Sequence, residues 1–521
     1  MAESSGLGPT AVEVLRGREI RAPLSLRADV VIVGSGAGGA VVAREMARAG
    51  RSVVVVEEGP FVAPGEYGKL PPMGMFRRCA REAGLSAVVG LGGSPFISLL
   101  MGRCVGGSSV LTGGVCFRIP DEVLHEWSGR LGLTSMTPEG LDPHFRVVER
   151  VAHVETVPDA MRSRGIDLFT DGAAKLGIPM KPLRRNTRGC RGASRCNFGC
   201  PHGAKMSVDV SFLPEATARG ALVVSDALVE RVDVTSGVAR GVRGRLITDD
   251  GARVPFEVRA RVVVVACGSL HTPLLLRASG VDSRHVGRHL TLHPAVRVSA
   301  LFDEVVEGWD GAMQPVFSDH FASEGVTLVG VYPPVSVLAA GFPGVGRKHR
   351  ALAHRTPNMA VFGGMIHDEG GGSVHRVIGR EPLVTYRMAR EDRPRLVRLI
   401  EILGRMAFAA GAREVAMPVF GIETMKSVKE VDDFAARPPP MRRIECTAFH
   451  PLGSAKMSTD PREGVVRESG ETWQVDNLFV ADGSVLPTSI GVNSQLPIMA
   501  VAHKIASGIA ADWDRLARRA A

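Results

Sequence analysis

A glycine-rich turn and an acidic residue near the N-terminus have the types and spacing that bind a dinucleotide. Two strand-like runs, Val30–Val33 and Val53–Val56, flank the turn and an apolar helical segment. Glu57 follows directly, 18 residues after the last glycine of the turn. Glycines let backbone N–H groups approach a pyrophosphate at a helix N-terminus, and the acid can hold a ribose hydroxyl. The turn residues that we assign to this role are Gly34, Ser35, Gly36, Gly38 and Gly39.

Two neighbouring acids compete for the ribose. We prefer Glu57, because it ends the strand and Gly59 then turns the chain, and Glu58 is the alternative.

Near the C-terminus, Leu478–Ser484 is interpreted as another strand that ends in a polar turn before a helix. The cofactor domain is therefore expected to close only when the chain returns after several hundred residues. Flavoenzymes are built in this way, whereas simple NAD dehydrogenases usually are not.

Composition indicates a multidomain α/β protein and excludes several classes. The chain has 521 residues, 45% of them hydrophobic, with 63 basic and 54 acidic residues and a net charge of +9. Its basic clusters, such as Arg184-Arg185 and Arg442-Arg443, are short and scattered, which argues against nucleic-acid binding.

The sequence contains no run of 18 apolar residues, so no transmembrane segment is predicted. The N-terminus lacks a signal-peptide pattern, so we expect a cytoplasmic location, with export beside a partner subunit as the alternative.

Elements that would position these residues follow from periodicity and turn signals. Helices are expected at Pro138–Ala152, Gly165–Leu176, Arg393–Ala410 and Ile498–Ala517, and a β-meander at 221–265. Residues 1–26 read as a polar lead-in. The apolar stretch Leu85–Met101 is interpreted as a flap beside the cofactor, with a membrane-docking loop as the alternative. We divide the chain into FAD-binding parts at 27–125, 213–294 and 446–521, a helical and Cys-rich insertion at 126–212, and a substrate domain at 295–445.

Five ordered motifs resemble those of the glucose–methanol–choline (GMC) oxidoreductases. They are Gly102-Arg103 with Gly106-Gly107-Ser108-Ser109, Gly268-Ser269 with Thr272-Pro273, Val286–Leu290 with His293-Pro294, His450-Pro451 with Gly453, and Ala481–Ser484 with Pro487 and Asn493. The resemblance covers residues 28–295 and 446–512 well, and the middle poorly. It implies an α/β fold, with a Rossmann-like FAD domain and a substrate domain whose mostly antiparallel sheet is flanked by helices. It also implies oxidation of an alcohol to a carbonyl with hydride transfer to flavin N5.

The resemblance implies further FAD contacts beyond the first turn. One position departs from the family, which usually has Asn where this chain has Thr112. Threonine can still form a hydrogen bond near the flavin, but it lacks the paired donor and acceptor of an amide. The further residues assigned to FAD are Glu58, Arg103, Gly106, Gly107, Ser108, Ser109, Thr112, Val229, Cys267, Gly268, Asp482, Gly483 and Asn493.

His450 and Asn493 match the two family positions that face the flavin ring. Alcohol oxidation needs a base for the hydroxyl proton while hydride leaves the carbon, and imidazole suits this role. An amide can hold the substrate oxygen without competing for its proton. The alternatives are a loop histidine without function and an asparagine that caps a helix. We assign His289 and His293 structural roles, since no acidic or cysteine partner has metal-ligand spacing.

Cys190, Cys196 and Cys200 form a cluster within eleven residues. The spacing is similar to that in membrane-linked FAD-dependent glucose and fructose dehydrogenases, whose flavin subunit carries a three-iron cluster, and in long-chain alcohol oxidases. This resemblance implies a [3Fe-4S] cluster and an electron-acceptor protein or quinone as partner. Three cysteines fall short of the four usual for other clusters, and His202 is a conceivable fourth ligand. A disulfide or zinc site and reduced structural cysteines are the alternatives.

Three rival functions remain open beside alcohol oxidation. A non-redox lyase on the same scaffold would keep FAD as a structural group. An electron-transfer subunit would use the cysteine cluster, although His450 and Asn493 argue against a passive flavin. An NAD-only dehydrogenase is disfavoured, because it has no use for the C-terminal return at Ala481–Pro487.

Overall fold

The computed structural model describes residues 12–84, 86–342, 344–377 and 379–520. Within these ranges the α-helices are α1 (Ala37–Arg48), α2 (Pro72–Cys79), α3 (Asp121–Gly129), α4 (Pro138–Val151), α5 (Arg164–Lys175), α6 (Phe212–Thr217), α7 (Thr272–Ala278), α8 (Val335–Ala340), α9 (Arg347–His354), α10 (Asp392–Ala409), α11 (Val428–Ala436), α12 (Gln495–Ala511) and α13 (Trp513–Ala520).

The strands of the same residues form two large sheets and one small one. They are β1 (Val14–Arg16), β2 (Leu24–Val33), β3 (Val53–Val56), β4 (Ser86–Gly90), β5 (Phe96–Leu99), β6 (Val154–Thr156), β7 (Lys181–Pro182), β8 (Arg184–Asn186), β9 (Leu222–Ser225), β10 (Ala227–Thr235), β11 (Val238–Ile247), β12 (Arg253–Val265), β13 (Arg288–Leu290), β14 (Ala295–Leu301), β15 (Val316–Ser318), β16 (Val326–Gly330), β17 (Met359–Ile366), β18 (Gly371–His375), β19 (Leu383–Arg387), β20 (Glu414–Val419), β21 (Ile422–Met425), β22 (Glu445–Ala448) and β23 (Leu478–Val480).

The first sheet combines the two ends of the chain. Its order is β1-β9-β3-β2-β12-β11-β10, and β23 pairs with β12. Strands β3, β2, β12 and β23 run parallel, and the four residues Val53–Val56 are all buried, as expected of a parallel strand covered on both faces. The N-terminal half of β12 pairs antiparallel with β11 and completes the predicted meander. The parallel half therefore receives its last strand from residues 478–480.

The second sheet has 13 strands and carries the substrate side of the molecule. Its central strands β14, β17 and β16 are antiparallel, whereas β4 with β19 and β5 with β22 are parallel pairs. Helices α5 and α10 cover one face through a core that includes Phe169, Phe362 and Leu399. The mixed α/β architecture and the mostly antiparallel second sheet confirm the fold class expected from the sequence. The division into five segments stays a prediction.

Helix predictions are confirmed for three segments to within one residue at each end: α4, α5 and α10. The prediction of one helix over Ile498–Ala517 is wrong, because α12 ends at Ala511 and a separate helix begins at Trp513. The polar lead-in is also corrected, since β1 and the start of β2 lie inside it. Residues 1–11 of that lead-in lie outside the described residues.

The apolar stretch before Gly102 forms a hairpin of β4 and β5 that joins the second sheet. Its last residues, Ser98–Met101, line the large cavity described below, as expected of a flap beside the cofactor. Val89, Leu91 and Phe96 are exposed. Leu85 lies outside the described residues. None of the helices described is both long enough and apolar enough to cross a bilayer.

Candidate functional site

One cavity of about 1370 Å³ lies between the two large sheets and receives residues from both. It exceeds the range of 300–1,000 Å³ typical for drug-sized ligands. Most of the residues assigned from sequence line it. They are Gly34, Gly36, Gly38, Glu57, Glu58, Arg103, Gly107, Ser108, Ser109, Thr112, Val229, Cys267, Gly268, His450, Asp482, Gly483 and Asn493. Ser35, Gly39 and Gly106 are not among its lining residues.

The glycines of the first turn allow helix α1 to approach the end of β23. A Cβ on Gly38 would collide with the carbonyl oxygen of Ala481, and a Cβ on Gly39 would collide with that of Gly34. Gly36 is the N-cap of α1 and forms no side-chain capping hydrogen bond. The first N–H groups of a helix need acceptors and favour anions. This helix start on the cavity wall is therefore suited to a phosphate group.

Ser35 does not line the cavity, but its hydrogen bonds hold Glu57, which does. Its backbone N–H and hydroxyl donate to Oε2 of Glu57 at 3.0 and 2.7 Å, and the Gly59 N–H donates to Oε1 at 2.9 Å. The Ser35 hydroxyl also accepts from the N–H of Gly106 at 3.0 Å and so joins the two glycine turns. Burial raises the pKa of Glu57, and these hydrogen bonds oppose that effect. A carboxylate accepts about four hydrogen bonds, so one position remains for a ligand hydroxyl.

Glu58 has a different environment. Its carboxylate lies 3.0 Å from Arg81 and 3.8 Å from Arg103, and it also pairs with Arg380. Arg81 in turn bonds Glu381 at 2.9 Å. Glu58 is thus neutralised by arginines, whereas Glu57 is held by neutral donors. This difference favours Glu57 for a ribose.

Asp482 connects the turns after β12 and β23. Oδ2 accepts from the Gly268 N–H at 2.8 Å and from the Thr272 hydroxyl at 2.5 Å. Oδ1 accepts from the Ser484 N–H at 2.8 Å and its hydroxyl at 2.5 Å. All four acceptor positions of this carboxylate are therefore used inside the protein. Asp482 therefore contributes to ligand binding only indirectly, because it fixes the two turns on the cavity wall.

The second glycine turn is held from below by a buried lysine. Nζ of Lys205 donates to the carbonyls of Ser109, Val110, Thr112 and Cys196 at 2.6–3.0 Å. Burial lowers the pKa of Lys205 to about 8. The turn and the cysteine segment are thus tied to one ammonium group. Sequence reasoning missed Lys205, since nothing in its local pattern separates it from a surface lysine.

Thr112 does not act alone at the position where the family has asparagine. Its hydroxyl donates to Oε1 of Gln495 at 2.7 Å and accepts from the N–H of Gly114 at 3.3 Å. Gln495 opens helix α12 and also lines the cavity. The threonine hydroxyl and the glutamine amide together present the donor and acceptor that a single asparagine amide would supply.

His450 and Asn493 meet on the cavity wall. His450 follows β22, and Asn493 precedes helix α12, whose N-cap is Ser494 rather than Asn493. Nδ2 of Asn493 lies 3.1 Å from Nε2 of His450. Burial lowers the pKa of His450 to about 3, and the nearby His293 adds to the shift. The imidazole is therefore neutral at physiological pH, so one ring nitrogen keeps a lone pair that can accept a hydrogen bond.

His293 and Asp368 position the loop that carries Asn493. Nε2 of His293 accepts from the N–H groups of Ile490 and Gly491 at 3.0 and 3.1 Å. Asp368 accepts from the N–H of His293 at 3.1 Å, and also from Ser489 Oγ and Tyr386 Oη, both at 2.8 Å. The structural role expected for His293 agrees with these contacts. Asp368 and Tyr386 lie in the middle of the chain, where no motif marks them.

The expected metal centre finds no support in the structure. Cys190, Cys196 and Cys200 border a small cavity of about 10 Å³, and all three are free thiols. Among the described residues, no three His, Cys, Asp or Glu side chains are arranged to hold a metal ion. Sγ of Cys196 instead accepts a hydrogen bond from the buried guanidinium of Arg185 at 2.7 Å. The three thiols thus border one cavity, but the described residues offer no arrangement for a metal ion, so the predicted [3Fe-4S] centre finds no support.

The lining residues fit an extended FAD. The cavity wall includes the start of α1, the buried Glu57 carboxylate, and His450 with Asn493. The close approach of Gly36 and Gly107 leaves no room for side chains between the two turns, since a Cβ on Gly107 would lie 2.8 Å from Cα of Gly36. A phosphate-type turn, an acid for a ribose and a polar pair at the far end match the parts of a flavin dinucleotide.

Comparison with known sequences identifies relatives along nearly the whole chain. Two family profiles, both described as GMC oxidoreductase, match residues 28–295 and 380–502. An uncharacterized GMC-type oxidoreductase of Mycobacterium tuberculosis is 39% identical over 486 residues, which are 93% of this chain and 76% of that protein. A long-chain-alcohol oxidase of Arabidopsis thaliana is 28% identical in an alignment of 533 positions, gaps included, that covers 96% of this chain and 68% of that protein.

Comparison with solved structures supports the fold. Pyridoxine 4-oxidase from Mesorbium loti superposes with a TM-score of 0.68 at 19% identity, covering 92% of this chain and 98% of that one. A variant of Aspergillus oryzae formate oxidase, studied for FAD modification, has a TM-score of 0.68 at 17% identity and covers 94% and 99%. At this identity the likeness concerns the fold alone.

Proposed function

Because the chain belongs to the GMC oxidoreductase family, whose members are flavin oxidoreductases, we propose that it oxidises an alcohol to a carbonyl compound with FAD. The observation that carries this proposal is the contact of 3.1 Å between His450 and Asn493 on the wall of the large cavity. The name of the Arabidopsis relative, a long-chain-alcohol oxidase, supports an alcohol as the substrate class.

The residues that would hold the cofactor are those of the two glycine turns and Glu57. Backbone N–H groups at the start of α1 receive the pyrophosphate, and the remaining acceptor position of Glu57 receives a ribose hydroxyl. The turn at Gly106–Ser109, which Lys205 supports, lies directly beside the first turn, where Gly107 approaches Gly36 and the Gly106 N–H donates to the Ser35 hydroxyl. When bound, FAD supplies an acceptor for the hydride that leaves the alcohol carbon.

His450 and Asn493 would hold the substrate hydroxyl between them. A hydroxyl has one donor and two acceptor positions, so it can donate to Nε2 of His450 and accept from Nδ2 of Asn493. These are the two atoms that bond each other in the structure. A neutral imidazole then takes the hydroxyl proton as general base, a role that contributes about 10²–10⁴-fold to rate. The amide keeps the oxygen in place and does not compete for the proton.

The test is anaerobic reduction of the bound flavin by alcohols. Protein loaded with FAD is mixed with 1-octanol, 1-dodecanol or 1,2-propanediol, while the flavin absorbance and the carbonyl product are followed. We expect bleaching and one equivalent of aldehyde or ketone per flavin. His450→Gln should bind FAD normally and bleach at least about 100-fold more slowly.

Two outcomes would contradict the proposal. Bleaching at the same rate in His450→Gln and the native protein would remove the histidine from the reaction. Cleavage of a cyanohydrin without any bleaching by alcohols would make the protein a lyase with a structural flavin.

A further inference from the structure

Arg297 lines the cavity from the second sheet, near the start of strand β14. Its partner on β17 is Gly363, which has no side chain to cover it. On the other side, the register that pairs Ala295 with Thr447 places Arg297 opposite Glu445 on β22. Arg297, Gly363 and Glu445 all line the cavity. The next row of the same face, Thr447, Ala295 and Met365, separates them from His450.

The guanidinium of Arg297 has no partner among the described residues. It forms no hydrogen bond to any of them and no ion pair within 4.0 Å, Glu445 included. Its Nη2 packs against Gly341 at the end of α8, where a Cβ would collide with it. Burial lowers the pKa of Arg297, and the charge of Glu445 opposes this effect. Arginine nevertheless stays charged in proteins, so an unpaired cation is held on the cavity floor.

Arg297 is half-buried on the cavity wall, and a cation there without a protein partner is free to pair with an anionic group of a ligand. The planar guanidinium fork matches a carboxylate through two parallel hydrogen bonds. The net charge of +9 also attracts anions to the protein. These properties indicate a ligand with a carboxylate.

The distance from Arg297 to His450 limits the shape of that ligand. Three residue steps along β22, from Glu445 to Ala448, already span roughly 10 Å, and His450 lies two residues further. We therefore place a carboxylate at Arg297 and a hydroxyl at His450 at opposite ends of one molecule. Ala295, Met365 and Val329 line the cavity near this path and offer apolar surface to a chain between the two ends.

We propose that Arg297 binds the carboxylate of an ω-hydroxy acid with an apolar chain, while His450 and Asn493 hold its hydroxyl. The oxidation of the hydroxyl in this inference rests on the proposed function, whereas the binding of the carboxylate by Arg297 does not. A 2-hydroxy acid, whose two groups are adjacent, cannot reach both sites. Glu445 tunes the site, because its negative charge partly offsets that of Arg297 and weakens the hold on an anion.

The first test compares 8-hydroxyoctanoate with 1-octanol. The native protein should show a higher kcat/KM for anaerobic flavin reduction by the acid, and Arg297→Gln should lower the ratio of acid to alcohol by about 10- to 100-fold, the loss of a charge-assisted bidentate pair. Arg297→Lys should recover part of the ratio. Glu445→Gln should raise it. Arg442→Gln, which removes one exposed arginine outside the cavity, should leave it unchanged.

The second test measures binding without chemistry. Octanoate, which cannot be oxidised at a hydroxyl, is titrated into the FAD-loaded protein by calorimetry. Binding that weakens about 10-fold or more in Arg297→Gln, with an unchanged flavin spectrum and melting temperature, supports the site. The site is rejected if Arg297→Gln lowers kcat/KM equally for the acid and for 1-octanol, or if octanoate binds Arg297→Gln as tightly as the native protein. Octanoate binding through Arg297 in a protein that no alcohol reduces would retain the site and reject the oxidation.

Discussion

Asn493 donates a hydrogen bond from Nδ2 to Nε2 of His450 over 3.1 Å. An amide NH₂ group only donates, so with the amide in this orientation Nε2 accepts and is the unprotonated nitrogen. The basic lone pair of His450 is thus directed at Asn493, and a hydroxyl that binds between the two side chains meets both a base and a donor. The relationship joins two segments, after β22 and before α12, that lie 43 residues apart in sequence.

The first prediction separates the roles of the two residues. His450→Ala should lower the rate of flavin reduction by at least about 100-fold, because it removes the base. Asn493→Ala should lower it less and should mainly raise KM, because it removes a positioning contact. Stopped-flow reduction at several alcohol concentrations measures both. A larger rate loss in Asn493→Ala than in His450→Ala would reverse the assignment.

The second prediction concerns the pH dependence of the reaction. Burial and the neighbouring His293 lower the pKa of His450 to about 3, so the base stays neutral far below the ordinary pKa of about 6.5. Flavin reduction should therefore be nearly constant from pH 8 down to pH 5. The check is the limiting reduction rate across this range. A fall with a midpoint near 6.5 would show a base with ordinary solvation.

The third prediction concerns stability in acid. The pKa values of His293 and His450 are lowered to about 3, and that of His289 to about 4, chiefly by burial. The unfolded chain therefore binds more protons below pH 6.5, so the stabilisation is complete above that pH and is lost as pH falls towards 3–4. Each fully buried histidine contributes up to about 1.4 kcal/mol per pH unit.

Urea unfolding at pH 7.5, 6.0 and 5.0 measures this effect. His450→Gln should flatten the dependence, and His320→Gln, at an exposed position, should leave it unchanged. A free energy of unfolding that is independent of pH over this range would contradict the prediction.

The fourth prediction uses two glycines in helices. Gly38→Ala should destabilise the protein by about 1–3 kcal/mol and abolish FAD retention, because the new Cβ would collide with the Ala481 carbonyl and displace α1 from β23. Gly508→Ala is the matched control in α12, where nothing lies within 4 Å of the new Cβ. It should be neutral or stabilising by up to about 1 kcal/mol. Thermal melts and the flavin-to-protein ratio after desalting distinguish the two.

The fifth prediction tests the choice between the two adjacent acids. Glu57→Gln should weaken FAD binding by roughly 1–3 kcal/mol, the scale of a hydrogen bond to a charged group. Glu58→Gln should have a smaller effect on FAD, because its carboxylate is occupied by Arg81 and Arg103. Calorimetric titration of the apoprotein with FAD compares them. Equal losses would mean that both acids reach the cofactor.

Sequence predicted those parts of the molecule whose signals are local. The first turn and its two flanking strands follow from glycine spacing and apolar runs, and the helices α4, α5 and α10 follow from periodicity. The break between α12 and α13 was missed because the apolar pattern continues across Asp512. Local signals cannot show such a break when both helices bury the same face, as Ile509 and Leu516 do.

Other parts could not be predicted because their partners are distant in sequence. Lys205 and Arg185 are buried charges that donate to the carbonyls of Val110 and Gly113, 95 and 72 residues away, and no spacing rule reports such contacts. Arg297 lines the cavity without a partner among the described residues. Its place opposite Glu445 depends on the register of β14 and β22, which the sequence does not reveal. The cysteine cluster shows a different limit, since close spacing in sequence suggested a metal centre, whereas the described residues around the three thiols have no arrangement that would hold a metal ion.

The pairing of β23 with β12 has a consequence for biosynthesis. Strand β23 is made about 210 residues after its partner β12, and Asp482 fixes the neighbouring turns only then. At about 5–20 residues per second, the ribosome spends roughly 10–40 seconds between these two strands, while the parallel sheet lacks β23. Stable loading of the flavin must therefore wait until β23 has been made. Until then, the unpaired edge of β12 can pair with a wrong strand. We therefore expect chaperones to protect this sheet in particular.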